Sequence, residues 1–465
     1  MSAVEPLSEM NLPEKMIDAL FKAAELIRSY GGTVRLITHY DGDGLSSAGI
    51  LAKSFMREGV SFHFSATKNA TPSIEEFMRE TSSELIVLAD LGTALVEDLE
   101  ALRRKRKLGV VIVDHHDTAG RDSPVMKEDF VEINPRYYDY DGTREASAST
   151  ISFLLSLALR GDNLDLGVYA LAGAGADKQL QEGAKGINKT VADYLVGEEM
   201  LRKEVGVRLP GESLERALYL AVEPYFPGMS GRSPAVRRFL KELGIKGEWS
   251  FEELPEEKCI SLNSALYLYL LKRGVRHEIA KLMFREIYWA SLHGERVDVE
   301  DVGYEINAAG RAGEYSVGVG YVLGDEESRQ RARGLRQRYR EEILQRMLQI
   351  EEKGGKVLQN IQYIEVDRDV YAGTLAGLCM QYLFDPEKPT IAVTRAGDEV
   401  RISARGTWYL VKRGLDLASA LREAAEGCGG RGGGHNIAAG ATIPAEKLQE
   451  FLRRLDKAVG SQMEG

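Results

Sequence analysis

The stretch VIVDHHDT, residues 111–118, places an aspartate and two adjacent histidines directly after a run of branched apolar residues. Such a run predicts a strand that is buried on both faces of a sheet. Two neighbouring histidines flanked by Asp114 and Asp117 have little packing rationale inside a core. We therefore expect these ionisable groups at the end of the strand, on the rim of the sheet.

Similar strands occur on both sides of this stretch. Residues 33–135 alternate helical patterns with apolar runs such as TVRLITH, ELIVLAD and FVEINPR, and a helix is predicted from about Ser46 to Glu58. Alternation of this kind is typical of an α/β fold with a doubly wound parallel sheet and helices on both faces. Ligands of open α/β sheets bind at the carboxyl ends of the strands, so the residues that follow these strands are expected to converge on one site.

The rest of the chain divides into further segments. Residues 190–324 have a mostly helical pattern, and residues 325–355 predict one long connector helix that ends at two glycines. Residues 356–465 combine apolar strands with a glycine-rich stretch. The predicted organisation is thus an α/β domain over 1–189, a helical middle region, the connector and a smaller C-terminal α/β domain.

Composition excludes several classes of protein. The chain has no apolar run of 18 residues and no basic-then-apolar leader, so we expect no membrane span, no secretory signal and a cytoplasmic location. Three widely spaced cysteines argue against a disulfide framework and against a CxxC zinc site. A net charge of −11 argues against polyanion binding over the whole surface, so any nucleic-acid site must be a local basic region.

Four segments near the predicted strand ends supply aspartate and histidine. They contain His39, Asp41 and Asp43 (HYDGDG), Asp90 (VLADLG), Asp114, His115 and His116 (DHH), and Asp177 (GAGADKQ). Carboxylates this close together repel one another unless cations neutralise them. Mixed aspartate and histidine ligands suit Mn²⁺, with Mg²⁺ or Zn²⁺ as alternatives, and five or six ligands exceed the need of a single ion. Two divalent cations clamp the attacking and leaving oxygens of a phosphodiester, so phosphoryl hydrolysis is expected.

Each of these segments also has a structural explanation. A DxD in a turn is common because aspartate favours turns and helix N-caps, and Asp90 could cap the helix that follows its strand. The joint occurrence of these residues at successive strand ends favours the metal site.

Residues 36–50, the DHH triplet, EINPRYY and GAGAD resemble the DHH phosphoesterase superfamily. INAAGRAG, SARG and GGRGGGHNIAAG are similar to segments of archaeal RecJ-type exonucleases, and the resemblance extends over residues 20–450. It implies that Asp90 bridges two cations and that the full set of metal ligands is Asp41, Asp43, Asp90, His115 and Asp177.

The resemblance also implies roles for the neighbours of these ligands. Asp114 would support the site, and His116 would face metal or phosphate in catalysis. Many superfamily members have a ligating histidine four residues before the first aspartate, where this chain has Ile37. We expect His39 to take that role.

A glycine run, GCGGRGGGHN at residues 427–436, precedes the apolar segment IAAGATI. Glycines allow positive φ and the close approach of an anion to backbone amides, so a phosphate-binding loop is one interpretation and a flexible linker is the other. The apolar segment favours an ordered strand. The resemblance implies that the scissile phosphate and the terminal nucleotide bind in a cleft between the two α/β domains. The residues that hold them would be Arg405, Gly432, Gly433, Gly434 and His435. Arg405 and His435 would have catalytic roles.

Other contacts with substrate are predicted from INAAGRAG and from the segment after Arg405. Asn307 and Arg311 would contact phosphate or sugar, or would belong to an ordinary strand-to-helix turn. Trp408 and Tyr409 could stack on bases, or be core residues of the sheet.

The expected function is that of a metal-dependent exonuclease, which hydrolyses phosphodiester bonds of single-stranded DNA or RNA in replication or repair. Archaeal relatives of this kind imply the GINS replication complex as a partner. Two alternatives stay open: a small-substrate phosphodiesterase acting on oligoribonucleotides or cyclic dinucleotides, and a non-catalytic replication-helicase scaffold. The helical middle region favours a longer substrate, and the presence of the ligands favours an enzyme.

Overall fold

The computed structural model describes residues 4–68, 84–207, 209, 211, 213–251 and 253–463. The chain divides into two compact units. The first unit contains residues 1–206 and 285–338, and the second unit contains residues 207–284 and 339–465.

The strands are numbered in chain order. They are β1 (Val34–His39), β2 (Phe62–Thr67), β3 (Leu85–Ala89), β4 (Gly109–Val113), β5 (Phe130–Ile133), β6 (Leu201–Val207), β7 (Phe284–Leu292), β8 (Glu295–Asp298), β9 (Lys356–Val357), β10 (Gln362–Glu365), β11 (Thr390–Ala396), β12 (Glu399–Arg405), β13 (Arg431–Gly434) and β14 (Ala438–Pro444).

The helices of the described residues are numbered in the same way. They are α1 (Val4–Glu9), α2 (Glu14–Ser29), α3 (Gly42–Glu58), α4 (Val96–Arg106), α5 (Ala148–Leu159), α6 (Gly167–Ala176), α7 (Gly186–Gly197), α8 (Leu214–Tyr219), α9 (Ser233–Glu242), α10 (Glu256–Lys272), α11 (His277–Ala280), α12 (Val299–Ala312), α13 (Tyr315–Leu323), α14 (Glu326–Lys353), α15 (Asp369–Tyr382), α16 (Trp408–Lys412), α17 (Leu417–Glu426) and α18 (Leu448–Met463). None of them is long and apolar enough to span a membrane.

The first unit contains the predicted parallel sheet, in the order β2-β1-β3-β4-β5. Alternate residues face opposite cores: Leu36 and Val87 pack on one face, and Ile37 and Leu88 pack on the other. The chain runs from β1 to β2 on one side and then to β3 on the other, so the strand order reverses between β1 and β3. The predicted α/β fold class is confirmed, and the reversal marks where a ligand site is expected.

The helices predicted in the middle region are distributed over both units. Residues 207–284 pack into the second unit, whereas 285–338 pack into the first. Helical periodicity identifies an apolar face but not the surface that covers it, so the sequence pattern grouped these helices together. The long helix predicted over 325–355 is α14. The division into functional domains at 189, 324 and 355 stays a prediction.

The second unit contains a sheet in the order β13-β14-β12-β11-β10-β9. Strands β10 and β11 are parallel, and the other neighbours are antiparallel. Ile391, Val400 and Ile402 of this sheet share a core with Leu421 of α17 and Phe451 of α18. The smaller C-terminal α/β fold expected from the sequence is therefore present.

Candidate metal centre and substrate surface

Ligand atoms of aspartate and histidine meet at the carboxyl end of the parallel sheet. Three groups have ligand atoms within 4.8 Å of one another, and together they form the aspartate–histidine cluster: His39, Asp41 and Asp90; Asp90, His115 and His116; Asp43, His115 and Asp177. The residues that the sequence predicted as metal ligands are thus brought together. Asp90 and His115 each belong to two groups, which places them at the middle of the cluster.

Asp90 lies directly after β3 and connects the two sides of the cluster. Its Oδ1 is 3.2 Å from Nε2 of His115, and its Oδ2 is 3.5 Å from Nδ1 of His39. The residue is buried and has a φ of +60°, a conformation that is uncommon outside glycine. Its side chain caps no helix, so the structural explanation for this residue does not apply.

The DxD segment forms the start of α3. Asp41 is the N-cap residue, and its Oδ1 accepts a hydrogen bond from the Gly44 amide at 3.0 Å. Its Oδ2 lies 2.9 Å from Nδ1 of His39. The carboxylate of Asp41 therefore caps the helix and also belongs to the cluster. Asp43 is buried two residues later, in the first turn of α3, where its oxygens accept hydrogen bonds from the first amides of α5, Ala148 at 2.8 Å and Ser149 at 3.0 Å.

His115 is oriented by residues far from it in sequence. Its Nδ1 donates to the Gly142 carbonyl at 2.6 Å, which leaves Nε2 to face the carboxylates of the cluster. Gln179 donates to the same carbonyl and to Asp177, each at 3.0 Å, and its own oxygen accepts from Asn188 at 2.7 Å. A Cβ on Gly142 would lie 1.9 Å from the His115 carbonyl, so only glycine allows this approach.

Asp114 holds the DHH turn rather than the cluster itself. Its oxygens accept hydrogen bonds from the amides of Thr93 at 2.9 Å and His115 at 2.8 Å. Nδ1 of His116 lies 2.8 Å from the same carboxylate, and the His116 side chain is 48% exposed. Asn134 fixes the turn from the other side by donating to the His116 carbonyl at 3.0 Å. The arrangement directs Nε2 of His116 outward.

Burial and mutual repulsion change the acidity of the cluster. Burial is the main cause that raises the pKa of Asp43 to about 7, and the negative charge of Asp90 adds to it. Burial also raises the pKa of Asp177 to about 6. Burial alone would lower the pKa of His39, but Asp41 and Asp90 raise it to about 11. Burial also opposes ionisation of Asp90, yet the neighbouring imidazoles of His115 and His39 lower its pKa far below the ordinary value. The carboxylates therefore attract positive charge strongly.

The cluster fits divalent cations in geometry and chemistry. Bonds of about 2.1 Å place neighbouring ligand atoms of an octahedral or tetrahedral ion about 3.0–3.4 Å apart. Nε2 of His115 is 3.2 Å from Asp90, 3.7 Å from Asp43 and 3.9 Å from Asp177. Nδ1 of His39 is enclosed and makes no well-aligned hydrogen bond among the described residues. Small side-chain rotations would surround a cation with these atoms.

Asn307 contacts the DxD segment and is not part of a turn. INAAGRAG lies in α12 and its C-cap, so the strand-to-helix turn considered for this segment is wrong. Oδ1 of Asn307 accepts a hydrogen bond from the Gly42 amide at 3.1 Å. A Cβ on Gly310 would lie 1.9 Å from the Tyr40 carbonyl, so the helix backbone packs directly on this segment. Arg311 follows on the same helix and is half-buried.

The predicted substrate residues of the second unit meet at one end of its sheet. Arg405 ends β12 opposite Ala438 of β14, and the glycines 432–434 form the edge strand β13. The glycine run is therefore an ordered strand, and the linker interpretation is wrong. Exposed His435 follows in the hairpin turn, where its amide donates to the Ala438 carbonyl at 2.8 Å. Arg405, glycines 432–434 and His435 are called the hairpin surface below.

Two family models match the chain. The model of the DHH family N-terminal domain covers residues 33–193, and the model of the DHHA1 domain covers residues 358–461. The chain belongs to the DHH family and has the phosphoesterase fold of that family. An uncharacterized protein of Methanocaldococcus jannaschii is 29% identical over 456 residues, which cover 97% of this chain and 98% of that protein.

Solved structures share the fold at low sequence identity. CDC45 from Entamoeba histolytica has a TM-score of 0.68 and 11% identity, over 96% of this chain and 99% of that chain. RecJ in complex with Mn²⁺ from Thermus thermophilus has a TM-score of 0.60 and 16% identity, over 97% of this chain and 55% of that chain. Exonuclease RecJ bound to manganese has a TM-score of 0.57 and 17% identity, over 97% and 95%. The fold is thus RecJ-like.

Proposed function

We propose that the protein is a metal-dependent exonuclease that hydrolyses single-stranded DNA or RNA. The observation that carries the proposal is the sharing of Asp90 and His115 between ligand groups, because a shared carboxylate is what two adjacent cations require. The manganese-bound RecJ structures of similar fold support Mn²⁺ as the metal, with Mg²⁺ as the alternative.

Each side of the cluster would hold one cation. His39, Asp41 and Asp90 form one side, and Asp43, His115 and Asp177 form the other. Oδ1 of Asp90 lies 3.2 Å from Nε2 of His115 and so connects the two sides. When bound, the cations supply charge neutralisation at the phosphate and activation of water for in-line attack. The protein contributes the fixed positions of the ligand atoms, which Gly142, Gln179 and the amides of α5 maintain.

His116 is suited to contact the reacting phosphate. Asp114 holds its Nδ1 at 2.8 Å, and almost half of its side chain is exposed beside the ligands. In the proposed reaction Nε2 donates a hydrogen bond to a phosphate oxygen or a proton to the leaving oxygen. Asp114 orients this imidazole and does not itself contact substrate.

The hairpin surface would bind the substrate chain. Arg405 would provide a guanidinium for phosphate, and His435 would provide an exposed imidazole in the turn three residues before Ala438, the β14 residue opposite Arg405. A Cβ on Gly433 would meet no atom within 4 Å, so a nucleotide can approach the strand backbone there. Arg311 of the first unit, on the helix that contacts the DxD segment, would add a further phosphate contact.

Degradation of end-labelled single-stranded 20-mers with Mn²⁺ tests the proposal. We expect progressive shortening by the native protein and none by an Asp90→Asn variant, while Asp117→Asn, an exposed aspartate outside the ligand groups, stays active. Cleavage confined to dinucleotides would replace the proposal with a small-substrate phosphodiesterase. Absence of any Mn²⁺-dependent shortening would contradict an enzymatic role.

The likeness to CDC45 favours a second candidate, a non-catalytic scaffold in a replication complex. A scaffold does not need the buried hydrogen bonds that hold His115 and Asp177, so the cluster favours the enzyme. Both roles are compatible with binding to a GINS complex, which we propose as the partner. Co-purification of the intact chain with GINS subunits, compared in the native and Asp90→Asn proteins, would separate partner binding from activity.

A further inference from the structure

The segment after Arg405 continues the hairpin surface. The Gly406 amide donates to the Ile437 carbonyl at 2.8 Å, which ties this segment to the turn that carries His435. Thr407 then caps α16, and the helix begins with Trp408 and Tyr409. Arg405, His435 and Trp408 therefore lie at the same end of the sheet.

The two aromatic side chains of α16 have different surroundings. The Tyr409 ring is flanked by the guanidinium groups of Arg276 at 4.1 Å and Arg413 at 5.4 Å, and both arginines pair with Glu387 at 2.6 Å. This ring is part of a structural stack. Trp408 has a different environment, because 41% of its surface is exposed. Among the described residues, no other tryptophan belongs to the exposed large apolar side chains.

Two basic residues lie close to Trp408 along the chain, although the net charge of the whole protein is −11. Arg405 precedes it by three residues at the end of β12, and Lys412 follows it by four residues on the same helix, whereas Arg413 is paired with Glu387. A flat, exposed apolar ring near basic residues matches a ligand that combines an aromatic ring with negative charge. A nucleotide unit has that combination, and single strands present it with the base accessible.

We infer that Trp408 stacks on a nucleobase of the single-stranded substrate, next to the phosphate that Arg405 and His435 bind. The inference rests on the proposed function and names the base contact for it. Stacking uses the face that every base has, so little sequence preference is expected. Paired bases inside a duplex present no such face, so this contact would favour single strands.

Tryptophan fluorescence tests the contact directly. The full-length Asp90→Asn protein, which leaves the substrate intact, is titrated with a 12-residue oligothymidylate. We expect quenching that largely disappears when Trp408→Phe is added. Labelled-oligomer anisotropy should give 5- to 100-fold weaker binding for Trp408→Ala, nearly native binding for Trp408→Phe, and native binding for Tyr409→Phe, which keeps the ring between its arginines.

Quenching that survives Trp408→Phe, or unchanged affinity of Trp408→Ala, would overturn the inference. Trp408→Phe keeps an aromatic ring at this exposed position, so a folding defect in the alanine variant would not decide the outcome. Failure of the proposed function is a separate result. It would appear as native protein that binds the oligomer through Trp408 but does not degrade it with Mn²⁺.

Discussion

The aspartate–histidine cluster of the first unit and the hairpin surface of the second unit are held in different ways. Asp90, Asp114 and His115 are buried and orient one another through side-chain and backbone hydrogen bonds. His435 is exposed and is positioned by backbone pairing in a hairpin. The difference suggests that the metal ligands need fixed geometry, whereas a surface that receives strands of varied sequence needs only fixed backbone.

Energetics support this comparison. A buried carboxylate without partners is costly, so each ligand of the cluster is stabilised by amides or imidazoles. An exposed histidine is already solvated and needs no such partners. Changes in the cluster should therefore affect metal binding and activity together, and changes in the hairpin surface should affect substrate binding alone.

Replacement of Asp90 should have the largest effect on the aspartate–histidine cluster. We expect Asp90→Asn to lower exonuclease kcat/KM by ~10³-fold or more and to weaken both cation sites, because this carboxylate faces both sides of the cluster. Calorimetric titration with Mn²⁺ and oligomer degradation measure the two effects. Loss of one cation with activity retained would contradict a shared ligand.

Cation affinity should rise with pH. Asp43 and Asp177, with pKa values of about 7 and about 6, hold protons in acidic solution that a cation must displace. Each proton released makes binding about tenfold tighter per pH unit below the pKa of its group, so these two carboxyls alone should lower the Mn²⁺ Kd up to ~100-fold between pH 5.5 and pH 7.5. The raised pKa values of His39 and His115 mean that these imidazoles also release protons when a cation binds, which makes the fall in Kd steeper. Calorimetry in two buffers of different ionisation enthalpy counts the protons. A Kd that does not change over this range would show that neither carboxyl is a ligand.

Truncation of the hairpin surface should separate substrate binding from metal binding. We expect His435→Ala to raise KM for a single-stranded oligomer about 10- to 150-fold, since a charge-assisted hydrogen bond is worth about 1.5–3 kcal/mol, and to leave Mn²⁺ affinity unchanged. Steady-state kinetics and metal titration of one preparation provide both values. A matching loss of metal affinity would remove the distinction between the two regions.

Asn307 was predicted to contact substrate, and in the structure its side chain is hydrogen-bonded to the DxD segment of the cluster. We expect Asn307→Leu to weaken Mn²⁺ binding about 3- to 10-fold by leaving the Gly42 amide unpaired. Asn307→Asp keeps the acceptor oxygen and should recover the affinity. A contact with phosphate predicts the reverse, because a carboxylate would repel the substrate; kcat, KM and Mn²⁺ Kd of both variants distinguish the two roles.

Local sequence patterns were sufficient to predict the strands of the parallel sheet and the residues of the aspartate–histidine cluster. Apolar runs identified β1, β3 and β4, and the acidic and histidine residues after them meet because parallel strands end at one edge. Asp114 was predicted to support the site, but the more distant residues that orient His115 were not predicted. Gly142 and Gln179 lie 27 and 64 residues from His115, and nothing in their own neighbourhoods indicates that contact.

By itself, the sequence determined the α/β class, the family and the aspartates and histidines of the cluster, because these depend on local periodicity and short motifs. Only the tertiary structure decided which unit each middle helix joins, that Asn307 bonds to the DxD segment, and that Trp408 lies at the same end of the sheet as His435. Such contacts join residues that are distant along the chain. They depend on how whole elements pack, which no short stretch of sequence encodes.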